Sequence, residues 1–200
     1  MIRPTLAWLL LLTPFASHAD IGAIDADRFT QSARNQVGVT LGYDPTYRVL
    51  AYPNGDVPIA TGVCTDVITR ALREQKIDLQ KLVHEDMRGN FARYPKRWRL
   101  KRADKNIDHR RVPNLMTFLA REKTELPITS RAADYSPGDI VSWDLGGGIT
   151  HIGVISNRKI RLGAPLVIHN IGRGTQEENI LFRYKIIGHY RLKSQINLSR

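Results

Sequence analysis

"TGVCTDVITRAL", residues 61–72, holds the only cysteine of the chain, Cys64, where a glycine-containing turn gives way to a helical pattern. From Thr65 to Gln75 the apolar positions Val67, Ile68, Ala71 and Leu72 follow the period of a helix packed on a core. The thiol therefore stands at a helix N-terminus. Unpaired main-chain N–H groups and aligned peptide dipoles there favour an anion, either a thiolate or the oxyanion of a tetrahedral intermediate. Position alone equally suits a buried cysteine acting as a small hydrophobe, so a base has to be found elsewhere.

Outward from this helix, the chain divides by pattern. Phe29, Ala33 and Val37 in "DADRFTQSARNQVG" (25–38) recur every four residues before Gly38, which predicts an earlier helix. Three prolines and Gly55 make residues 43–60 a loop with at most one short strand at 47–51. "VPNLMTFLARE" (112–122) predicts another helix, with Pro113 in its first turn. Beyond it, "GDIVSWDL", "THIGVIS", "PLVIHNI" and "FRYKIIGHYRL" are β-rich runs separated by turn residues, an antiparallel meander. Helices first and strands afterwards give an α+β fold, N-terminal helices packed on a C-terminal antiparallel sheet.

Residues 1–19 place Arg3 before an apolar run, Leu6 to Leu12, and end in Ser17-His18-Ala19, the order of a secretory signal peptide. Cleavage there gives a periplasmic or secreted protein with one domain over residues 20–200. The apolar run is too short for a stable anchor, and no other segment reads as transmembrane. Export meets an oxidising compartment, where a lone cysteine is intermolecular, inert or reactive. A monomer is the expectation.

The chain carries 30 Lys and Arg against 19 Asp and Glu, a formal charge of +11. In an exported protein this balance points to cell-wall polymer or anionic lipid rather than nucleic acid. The basic residues crowd into 93–111, "RYPKRWRLKRADKNIDHRR", which reads as a long surface loop. It lacks both the aromatic pattern of an RNA-binding sheet and metal-ligand spacing.

Two histidines stand inside strand-like runs, His151 in "ITHIGVIS" and His169 in "LVIHNIG". A base on one strand oriented by a polar group on its neighbour is the logic of a nucleophile–base–orienter triad. His189 in "IIGHYRL" is an equal candidate by periodicity alone.

Tyr52 twelve residues before Cys64, then "PGDIVSW", "HIG" and "IHN" in that order, resemble the NlpC-type, papain-like cell-wall cysteine peptidases. More narrowly, "GYDPTY", "GVCTDV", "IDHRRVPNL" and "IHNIG" resemble the exported bacterial family called domain of unknown function 1287. The resemblance implies Cys64 as nucleophile, His151 as base and His169 as orienter, with Tyr52 near the oxyanion and no cofactor. It departs at Val63-Cys64-Thr65-Asp66, where the superfamily usually has Asp-Cys-Ser-Gly, so Asp66 has no role carried over. The implied activity is cleavage of an amide bond in the peptide part of peptidoglycan. Arg110 or Arg111 would grip a stem-peptide carboxylate, or else pair internally with a residue such as Asp108. Two alternatives stand beside it: a zinc amidase using Cys64, His151 and His169, and a non-catalytic cell-wall binding module.

Overall fold

The computed structural model describes residues 24–161 and 163–193. The segment read as a signal peptide lies outside them. Helices α1 (Ala26–Arg34), α2 (Cys64–Arg73), α3 (Leu79–Gly89) and α4 (Val112–Arg121) precede the main sheet. Before α2, two short strands, β1 (Gly42–Tyr43) and β2 (Thr61–Gly62), pair in parallel. The sheet has five antiparallel strands: β3 (Ile140–Asp144), β4 (Thr150–Lys159), β5 (Pro165–Asn170), β6 (Thr175–Glu178) and β7 (Lys185–Tyr190). Their order is β6-β5-β4-β3-β7, so the meander runs from β3 to β6 and β7 returns to the free edge of β3. The α+β arrangement expected from the sequence is the observed one, and no described helix is long and apolar enough to cross a membrane.

Both sheet faces are covered. On one, Val67, Ile68, Ala71 and Leu72 of α2 join Phe29, Leu115 and Phe118 against Ile140, Ile152, Val154 and Ile168. On the other, Val141, Trp143, Ile155 and Val167 pack beneath Ile180 and Leu181. Burial of about 25 cal/mol per Å² of apolar surface on two faces drives this layering. It also explains why β3 reads as a continuous apolar run rather than an alternation.

Where sequence and structure differ, the reasons are local. Asp25 caps α1 through the Arg28 N–H, but the helix ends at Arg34 and Val37 is exposed in the turns that follow. No strand forms at 47–51. Helix α3 and strand β6 carry too many polar residues to announce themselves; Asp78 starts α3 by accepting from the Lys81 N–H. The basic stretch 93–111 begins at the end of one short 3₁₀ turn and contains two more, Arg97–Arg99 and Asp108–Arg110, and Tyr94, Asp108, His109 and Arg110 within it are buried.

Candidate active site

Cys64 is the first residue of α2 and is buried. Val63 at the N-cap is extended and offers no side-chain acceptor, so the turn is secured from inside the helix: Asp66 reaches back to accept the Val63 N–H at 2.7 Å. That is half of a capping box. Gly62 leaves the room for it, since a Cβ there would sit 3.1 Å from Asp66 Oδ2 and 3.2 Å from Arg70 Nη1. The main-chain N–H groups of Ile152, Thr65 and Cys64 itself favour the anion of the thiol, but burial outweighs them and the Asp66 charge adds to it. The thiol is pushed up to about 12. The thiolate expected from the helix start alone is thus opposed by desolvation.

Asp66 is held in turn by Arg110, whose Nε and Nη2 lie 3.0 Å from its two carboxylate oxygens. Arg110 Nη2 also donates to Asp44 O at 3.0 Å. This bidentate pair is buried, so the internal partner of Arg110 is Asp66 rather than Asp108, and Arg110 borders the Cys64 cleft with its guanidinium already engaged. Arg111 differs. Its guanidinium carbon lies 4.2 Å from the Trp98 ring centre, and its Nη1 is buried without a hydrogen-bond partner. It lines a cleft of about 320 Å³ together with Cys64, Tyr43, Tyr47, Trp98 and Thr150.

His151 and His169 are brought together, Nε2 to Nδ1 at 3.0 Å. His151 lies opposite Trp143 in the β3–β4 register and stacks on it. Strand alternation therefore sends the His151 ring to the Trp143 face, whereas Ile152 faces α2 and Thr150 lines the Cys64 cleft. Cys64 lies across the β4 main chain from the imidazole pair. Burial, with the neighbouring ring second, holds His151 down at about 3, and burial holds His169 down at about 4 despite Glu178. Glu178 Oε2 is 3.2 Å from His169 Nε2 but outside hydrogen-bonding alignment. Both rings are neutral at pH 7. Gly153 of the "HIG" motif is required by packing, because a Cβ would meet Val167 Cγ1 at 2.8 Å.

Tyr52 is elsewhere: its ring packs edge-on against His84 and its hydroxyl donates to Glu85 at 3.4 Å. The tyrosines at the cleft are Tyr43 and Tyr47. The loop 43–60 doubles back so that Tyr43 pairs with Gly62, which makes sequence distance from Cys64 a poor guide. Asn170 fastens this arrangement, donating to Gly42 O at 3.0 Å and Gly62 O at 3.2 Å. In "IHN" the histidine faces one side of the sheet and the asparagine the other.

Residues 30–192 match the family described as domain of unknown function (DUF1287). The chain belongs to that family. It is also 53% identical to "Uncharacterized protein YijF" of Escherichia coli (strain K12) over 201 residues, 95% of this chain and 98% of that protein. Among solved structures it is similar to NlpC1 and NlpC2 from Trichomonas vaginalis, with a TM-score of 0.43 for each and 15% and 14% identity. Those matches cover 89% and 90% of this DUF1287 chain, which spans about half the length of each solved chain, 49% and 51%.

The proposed zinc ligands are not gathered round one point in this DUF1287 protein. The two histidines face each other, and no group of three or more His, Cys, Asp or Glu among the described residues is placed to hold an ion. The thiol gives a direct prediction. A rise from the usual 9.0 to about 12 lowers the thiolate fraction at pH 7 roughly a thousandfold, and a Brønsted slope of about 0.4–0.5 recovers some of that in nucleophilicity. Iodoacetamide should therefore alkylate resting Cys64 about 30- to 60-fold more slowly than a model thiol, with the rate still climbing above pH 9. A plateau reached by pH 7 would contradict the burial argument.

Proposed function

We propose that this protein is an exported cysteine hydrolase that cleaves an amide bond in the peptide part of bacterial peptidoglycan. The observation that carries the reading is the placement of Cys64 at the N-terminus of α2, beside main-chain N–H groups that favour an anion, in a cleft walled by Arg111. The carbonyl oxygen of a bound amide would enter this N–H set as sulfur bonds to carbon, and the oxyanion would be held where it forms. His151 takes the thiol proton and returns it to the leaving amine; water then releases the acyl group from sulfur. His169 orients His151 through Nε2, leaving Nδ1 for the proton. Arg111 receives a stem-peptide carboxylate.

The resting thiol is protonated and the His151 ring faces Trp143, so the reading includes a movement that brings His151 round the start of β4. Pairing of β4 with β5 begins only at Val154, so the bonds such a movement breaks are those to β3, with the Trp143–His151 stack. The protein without residues 1–19, incubated with purified cell-wall fragments, should yield products heavier by one water in total, with a new amine and a new carboxylate. Cys64→Ala should yield none; identical products from that variant would end the proposal.

The protonated thiol and the turned imidazole favour one second reading, a cell-wall binding module without turnover. Wall binding with unchanged fragments in the wild type would select it.

A further inference from the structure

A second, wider cleft of about 910 Å³ adjoins the first, and Tyr47 lines both. Its walls carry Arg88, Arg99, Lys101, Arg102, Lys105 and His84. None of the four arginine and lysine side chains Arg88, Arg99, Lys101 and Arg102 has a carboxylate partner among the described residues. The Lys105 ammonium sits 5.5 Å from the centre of the Tyr52 ring.

The acidic groups nearby are already engaged. Asp104, on the cleft wall, accepts from the Tyr47 hydroxyl at 3.0 Å and from the Asn106 N–H at 2.9 Å. Asp108, buried behind it, accepts the Asp104 N–H at 2.6 Å and faces His84 Nδ1 at 3.3 Å. Several cations elsewhere are neutralised internally, as with Arg70 and Arg73 on Asp56, Arg121 on Asp86 and Arg191 on Asp139. Arg88, Arg99, Lys101 and Arg102, by contrast, share one concavity. Trp98 and Arg99, at φ 61° and 50°, hold the approach to it in the left-handed region, which side chains other than glycine rarely adopt.

We infer that this second cleft binds a phosphoryl group, a phosphate or diphosphate ester, carried by the molecule that reaches the Cys64 cleft. Several point charges and guanidinium forks lining one cleft without ion-pair partners suit an oxyanion of multiple charge far better than a single carboxylate. Continuity through Tyr47 lets one extended substrate place its phosphoryl group here and its peptide beside Cys64. This deepens the hydrolase reading and rests on it only for the second half of that statement.

The test separates the two. Calorimetric titration of the Cys64→Ala protein with inorganic diphosphate measures the site without any turnover. One-to-one saturable binding is expected, weakened about tenfold or more by Arg99→Glu/Arg102→Glu. Lys159→Glu/Arg161→Glu, an equal charge change at exposed positions outside both clefts, should stay within about twofold. Phosphatidylglycerol vesicles form the second arm. Recruitment to them that diphosphate competes away assigns the phosphoryl group to a lipid headgroup, and diphosphate binding without recruitment assigns it to a soluble glycan. Absence of saturable binding in both arms, or equal weakening by the two charge variants, overturns the inference.

Discussion

Cys64→Ala should lower hydrolysis of cell-wall peptides at least about 10⁴-fold, and His151→Ala comparably, because nucleophile and base act as a unit. His169→Ala should retain more activity, since His169 acts on His151 and not on the substrate. Chelators should have no effect. In a zinc mechanism all three substitutions would release metal and chelation would abolish activity, with zinc restoring it. The pH dependence adds a signed test. The competent form carries one proton shared by thiol and imidazole, and with the thiol at about 12 and His151 at about 3 that form predominates between those limits. This pair should therefore leave kcat/KM without an alkaline limb below about pH 10. A limb near the ordinary thiol value would overturn the burial argument, and full activity in His151→Ala would remove His151 from the mechanism.

The parts of this site that could be read from the sequence were those set by local periodicity. The 3.6-residue pattern after Cys64 located α2 and its thiol, and β-rich runs located four of the five strands of the main sheet. Face assignment was harder, because β3 and β4 are buried on both sides and alternate no polar signal. Only the register, with Trp143 opposite His151, reveals that the "HIG" histidine and the helix-facing Ile152 part company. Tyr43 was obscured by a loop that returns to Gly62, and Asp66 by its long-range partner, Arg110, 44 residues away. Burial of the thiol could not be inferred from its helix position, since it depends on the strand brought against it.

The largest stability effect should come from Arg110. Removing the guanidinium by Arg110→Ala leaves Asp66 as a buried carboxylate facing the thiol, with only the Val63 N–H for compensation. Breaking a buried pair in this way costs about 3–5 kcal/mol, enough to lower Tm by about 6–20 °C in a domain of this size. The loop is affected too, because Arg110 bonds the carbonyls of Asp44 and Thr46 beside Tyr43 and Tyr47. Asp66→Ala should cost about 1 kcal/mol more than the pair alone through loss of the N-cap bond, so the Asp66→Asn/Arg110→Met double variant should recover part of the loss. Arg111→Ala should do the reverse, weakening binding of wall fragments while shifting Tm little, since its Nη1 has no internal partner to forfeit. Thermal melts and sedimentation with wall fragments, run on both single variants, separate a structural arginine from a ligand-facing one. Equal loss of Tm in the two would mean that Arg111 is held by the fold as Arg110 is, and that the cleft has no cation free for substrate.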